Sequence, residues 1–129
     1  MTHRIGLGAA VLAVLMTVAM TACVSPEVLA TRKLVIAPID LQQARDGTYL
    51  GQHTYGEFTY EVEVTVLDHR IEDIVVLSNR DTPHAIKAEG VIQAILEEQR
   101  NDVDAVSGAT TTSKALLKAV EEALLKSLE

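Results

Sequence analysis

The sequence predicts an α+β domain, an antiparallel sheet of about three or more strands packed with two helices. Three observations predict it. From Phe58 to Val66 apolar residues hold every even position, which is the period of a strand with one wet face. Beyond residue 84 two segments carry apolar residues at helical spacing. The strands come first and the helices afterwards, where an α/β domain would alternate them. With 129 residues, 48% of them hydrophobic, the chain is long enough for one modest domain and too short for two of ordinary size.

Part of that apolar content lies at the very start. "MTHRIGLGAAVLAVLMTVAMTAC" opens with one basic residue, Arg4, and runs from Ile5 to Ala22 without a charge. A basic start, an apolar run and small residues before a processing point are the layout of a secretory signal. A retained transmembrane helix is the alternative, because a run of this length just reaches across a bilayer. The stretch Met20-Thr21-Ala22-Cys23 resembles the lipobox of bacterial lipoproteins, in which a peptidase cuts before the cysteine and its thiol is lipidated. The resemblance implies a lipoprotein signal peptide over 1–22, a lipidated tether over 23–43 and a folded domain over 44–129. It also implies a protein held to the membrane by a lipid anchor and lying outside the cytoplasm. Cys23 is the single cysteine of the chain, so an internal disulfide and a two-thiol metal or redox site are both excluded.

The chain carries 11 Lys and Arg against 18 Asp and Glu, a formal charge of −7. Removing residues 1–22 takes away one Arg and no acid, which leaves 10 against 18, or −8. Nucleic acid and anionic membrane surfaces both need clustered basic charge, so neither is expected as a partner. A single phosphate can still be bound locally.

Residues 24–38 mix Pro, small and apolar side chains without a sustained period, as a tether would, with a short strand expected at "KLVIA". "IDLQQARDG" predicts a helical turn or two closed by Gly47. "TYLGQHTY" and "IEDIVVLSN" flank the alternating segment and predict its partner strands, joined through Tyr55-Gly56 and through Asp68-His69-Arg70. His69 stands where Gly or Asn suits a tight turn, which predicts a connection longer than two residues. After "DTPH", Ala88, Val91, Ile92, Ile95 and Leu96 predict one helix, and Leu117, Val120, Leu124 and Leu128 predict a second.

Between the two helices lies "DAVSGATTTS", residues 104–113. Gly108 permits a backbone bend closed to other residues and leaves room for a group to approach the main chain. Thr110, Thr111, Thr112 and Ser113 fall where the last helix begins, and any of them can cap its free amides. A helix start is equally a phosphate site, since its unpaired N–H groups and its dipole both favour an anion, and Lys114 can add a charge-assisted contact. Local physics leaves a plain cap and an anion site both open.

Asp104-x-x-Ser107-Gly108-Ala109-Thr110 resembles, without departure, the Asp-x-x-Ser/Thr-Gly-Ala-Thr pattern of the FMN-binding domain family. That family includes the flavin-carrying subunits of sodium-pumping NADH:quinone reductases and of Rnf-type complexes. Asp46-Gly47-Thr48-Tyr49-Leu50-Gly51 is similar to the start of the family's domain, and "DTPHAIK" occupies the place of its Glu-Thr-Pro-Gly segment, with Asp81 for Glu and His84 for Gly. The likeness runs from about residue 44 to 128. It implies FMN attached through its phosphate to the hydroxyl of Thr110 by a separate flavin transferase that uses FAD and magnesium. By the same resemblance Asp104 is a recognition or loop-holding residue, Ser107 and the backbone around Gly108 and Ala109 bond phosphate or ribityl groups, Thr112 supports, and Thr82 belongs to the cofactor contacts.

Other candidates point elsewhere. Tyr49, Tyr55 and Tyr60 can stack on a flavin ring, but in a chain with four aromatics they read more simply as strand residues filling the core. His53, His69 and His84 have no metal-ligand spacing. Asp102 and Asp104 read as solvated loop acids, and Glu121 and Glu122 as the wet face of the last helix. The expected function is therefore a flavin-carrying electron carrier, passing electrons from a membrane-bound donor to an extracytoplasmic acceptor rather than catalysing a reaction on its own substrate. Two alternatives keep other classes open: a module that binds FMN without a covalent bond, for storage or sensing, and a structural lipoprotein without cofactor.

Overall fold

The computed structural model of the chain describes residues 24–129. The signal peptide expected over 1–22 and the lipidation expected at Cys23 lie outside the described residues.

The sheet has three antiparallel strands, β1 (Gly47–Tyr55), β2 (Phe58–Leu67) and β3 (Arg70–Ser78), in the order β1-β2-β3. The alternation of β2 is realised as one buried row, Tyr60, Val62, Val64 and Val66, facing the core. Phe58, the first member of that row in the sequence, is exposed instead, because it closes the hairpin opposite Tyr55 and lies beneath the Arg80 guanidinium. The second hairpin is tighter than expected. Leu67 pairs with Arg70, so Asp68 and His69 alone make the turn, and both take positive φ, 51° and 62°. That is the mirror-image turn that matches the twist of the strands it joins.

Four α-helices are formed by the described residues: α1 (Pro26–Arg32), α2 (Pro83–Ala88), α3 (Gly90–Glu98) and α4 (Thr110–Lys126). The single helix expected after "DTPH" is thus two. The break falls at Glu89, where ψ is −11°, ahead of a glycine with poor helix propensity. Within α3, Val91 and Ile95 are buried and Ile92 and Leu96 pack at the margin of the core. In α4, Leu116, Leu117, Val120 and Leu124 are fully buried, whereas Leu128 lies past the end of the helix and is exposed. Glu121 also departs from expectation. It is buried on α4 and paired with Lys118 at 2.8 Å, while Glu122 is exposed.

α1 stands where an irregular tether was expected, and "KLVIA" forms no strand. Its local cause is plain in retrospect. The Ser25 hydroxyl accepts from Val28 N at 3.3 Å, Pro26 occupies the first helical position, and Glu27 and Arg32 sit at the ends the helix dipole favours. Thr31 is its buried residue, and the helix packs on α4 and β1. The helical turn expected in "IDLQQARDG" is one 3-10 turn, Leu41–Gln43, capped by Asp40; Gly47 opens β1 instead of closing a helix. The buried Asn101 side chain fastens this region by accepting from Ile39 N at 2.9 Å and donating to Ala37 O at 2.8 Å.

The core lies between the inner face of the sheet and α4, which crosses β1 and β2. That crossing holds the first turn of α4 beside the β1–β2 hairpin and the start of α2, and the cavity described next is formed there.

Candidate functional site

The loop from Gln99 to Ala109 sets the start of α4. At its near end Gln99 takes φ 54° and its side-chain amide joins β3, accepting from Ile71 N at 2.8 Å and donating to Ile71 O at 3.0 Å. At its far end the buried Ser113 hydroxyl accepts from Val106 N at 3.0 Å. Ser113 thus ties the loop down from inside the helix and does not cap it. Gly108 has φ 80°, and a Cβ there would meet Lys87 Nζ at a comfortable 3.7 Å, so the backbone angle is what calls for glycine.

The N-cap of α4 is Ala109, and among the described residues no side chain caps the helix. Of the hydroxyls that could have done so, Thr110 is exposed, Thr111 accepts from Arg32 Nε at 2.9 Å, and Thr112 is buried. Plain capping is therefore not how these side chains are used. A seventeen-residue helix is left with its first amides free to meet an anion.

These residues form one wall of an open cavity of about 400 Å³, a volume within the range of small-molecule sites. Gly108, Ala109 and Thr110 to Thr112 line that wall, and Val28 and Arg32 of α1 line another. Tyr55 at the end of β1, Arg80, and Thr82 and His84 at the start of α2 complete it. Thr82 holds its corner by capping α2, its hydroxyl accepting from Ala85 N at 3.2 Å. Among the described residues no carboxylate lines the cavity, yet two guanidinium groups do, in a chain whose formal charge is −7. Its field therefore favours an anion against the charge of the whole molecule.

The aromatic side is equally organised. Tyr55 and Tyr60 stack with ring centroids 5.5 Å apart, and the Tyr60 hydroxyl donates to that of Tyr55 at 3.1 Å. Burial, and then the bond to Tyr55, push the Tyr60 phenol up to about 12, so it stays protonated and keeps donating. Arg80 lies 3.9 Å over the Phe58 ring, and the neighbouring Tyr55 phenol raises its pKa further above the ordinary arginine value. Tyr60 fills the core as expected, whereas Tyr55 shows an edge to the cavity.

The fold therefore brings Thr110, Ala109, Gly108, Thr112 and Thr82 to one cavity. It leaves Asp104 and Ser107 exposed and outside its lining, and Lys114 likewise lines a separate groove with Asp104 and Asp102. Arg32, Arg80 and Val28 are lining residues that sequence reasoning did not single out. Two signals pointed to them. Ser25-Pro26-Glu27 is a helix start that leads to Arg32, and Arg80 immediately precedes the Asp81-Thr82-Pro83 segment.

An anionic hydroxyl-linked or hydroxyl-bonded ligand with an aromatic body fits this donor set. The FMN-binding domain family model matches residues 55–125, and the chain belongs to that family. It is an FMN-binding flavoprotein domain. The chain is also similar to an uncharacterized protein of Treponema pallidum (strain Nichols), at 39% identity over 84 residues. That match takes in 64% of this chain and spans only 23% of the relative's length.

Proposed function

We propose that this chain is an electron carrier in which FMN is joined through its phosphate to Thr110 Oγ1. What supports the reading is the position of Thr110: an exposed hydroxyl at the first residue of an uncapped helix, on the wall of the cationic cavity, inside the family match. A flavin transferase working from FAD would make the bond. Thr110 Oγ1 bonds to the FMN-side phosphorus of FAD, the pyrophosphate P–O bond breaks, AMP leaves, and the hydroxyl proton passes to a base on the transferase.

The chain's own residues then divide the work. The free amides of the first turn of α4 meet the phosphate, in a cavity whose lining carries positive charge. Tyr55, held by Tyr60, offers a ring face or edge to the flavin. FMN when bound supplies one- and two-electron chemistry, and the protein tunes and orients it. The reading includes a lipid anchor at Cys23, an extracytoplasmic position, a membrane-bound donor and an acceptor outside the membrane.

The test is to make the full chain together with a flavin transferase, denature it, and examine the protein band for flavin fluorescence. Fluorescence that persists and vanishes in Thr110→Val is the expected result. Fluorescence lost on denaturation identifies a non-covalent FMN module, and equal labelling of Thr110→Val moves the attachment to Thr111 or Thr112.

A further inference from the structure

The N-terminal helix α1 lies outside the part of the chain that matches the family, which begins at residue 55, yet it supplies a wall of the cavity. Its contact with α4 is a defined bond. Arg32 Nε donates to Thr111 Oγ1 at 2.9 Å across 79 residues of chain, one position beyond Thr110. The two terminal Nη groups of Arg32 make no hydrogen bond or ion pair to another described residue. Arg80, the other guanidinium of the cavity, lies against the Phe58 face, 3.9 Å from the ring centroid.

The position of Arg32 is itself determined. Thr31, the residue before it, is buried where α1 packs on α4 and β1, so the last turn of α1 is anchored on the body of the domain. A guanidinium has five N–H donors in a planar fork, and one edge can be spent on a neutral oxygen while the other meets two oxygens of a phosphate. Thr111 takes the Nε edge here.

We infer that Arg32 is a phosphate-binding residue of the flavin site, braced by Thr111 Oγ1 and donating to the FMN phosphate through its free Nη groups. This inference rests on the flavin reading of the cavity, not on the covalent bond. It makes residues 26–32 part of the cofactor site rather than a spacer, so the segment that follows Cys23 is pinned where the flavin sits. A lysine at 32 would keep the charge but could not hold Thr111 and two phosphate oxygens together.

The experiment uses the full chain carrying Thr110→Val, so that no covalent bond forms, and titrates it with FMN and with riboflavin, which lacks the phosphate. Flavin fluorescence reports binding. FMN is expected to bind at least about tenfold more tightly than riboflavin, as a charge-assisted contact to a dianion requires. Adding Arg32→Gln should abolish most of that preference and leave riboflavin binding unchanged; Arg32→Lys and Thr111→Val should each reduce it partway. A preference for FMN that survives Arg32→Gln overturns the assignment, as does an equal loss of both flavins, which would make α1 a packing element only. Failure of both flavins to bind overturns it too, whereas the attachment at Thr110 is judged separately by the labelled band.

Discussion

The carbonyl oxygen of Ala119 lies 1.9 Å from the point that a Cβ on Gly51 would occupy, and Ala123 N lies 2.7 Å from it. β1 and α4 therefore touch backbone to backbone, through a residue without a side chain on the strand and two alanines on the helix. The approach is what lets a single helix cover two strands and set its first turn at the end of the β1–β2 hairpin.

Gly51→Ala should force α4 off the sheet, because the obstructing atoms belong to main chain and cannot rotate away. Overpacking of this kind costs about 1–3 kcal/mol and sometimes more. Thermal unfolding should show a Tm lower by at least about 5 °C, and FMN binding should weaken along with it, since both walls contributed by α4 and Tyr55 shift. An unchanged Tm would mean that the helix tolerates displacement at this point.

Ser113→Ala should loosen the Gln99–Ala109 loop without unfolding the domain. The substitution removes the acceptor of Val106 N in a buried position, at a cost of about 1–3 kcal/mol. Hydrogen exchange is the suitable measurement. The Val106 amide should exchange at least about tenfold faster, while the amides of β2 keep their protection.

His69→Gly should stabilise the protein. Its φ of 62° is a left-handed angle that strains a residue with a side chain, and the one bond that would be lost, from Nδ1 to Leu41 O, is exposed and 3.3 Å long. The expected gain is about 0.5–1 kcal/mol, after the greater freedom of glycine in the unfolded chain is set against the relief. A rise in the urea midpoint with an unchanged slope would register it.

Acidification should weaken the fold through His53. Burial first, and then Lys118, lower its pKa below the ordinary 6.5, with Glu122 acting in the opposite direction. As pH falls through 6.5 the unfolded chain takes up the proton before the folded one does, so stability declines until the pH at which folded His53 itself protonates. Urea unfolding at a series of pH values from about 7 to about 5 should show this slope in the native chain and a shallower one in His53→Gln.

The strands were the most legible part of the chain, because a period of two is written in the side chains themselves. Val62, Val64 and Val66 could face only one way once the other face carried Glu61, Glu63 and Thr65. Helix boundaries were less so. Whether Ala88 and Val91 share one helix depends on the backbone at Glu89, which periodicity does not report, and Glu121 is buried beside Lys118, a pairing that only the packing of α4 displays. α1 was written locally in Ser25-Pro26-Glu27 but masked by the mixed composition around it.

By itself the sequence determined the class of the domain, the hydroxyl-rich stretch before the last helix and, through its ordered motifs, the likeness to FMN-binding domains. Those are properties of neighbouring residues, and neighbours are what a sequence displays. Only the tertiary structure decided that Thr110, Thr111 and Thr112 of the five hydroxyls line the cavity, that Asp104 and Ser107 stand apart from it, and that Arg32 and Arg80 give an acidic protein a cationic site. The reason is physical. Charge at a site is the sum of what the fold brings within a few ångströms, and the Arg32 guanidinium reaches Thr111 only because α1, β1 and α4 pack together.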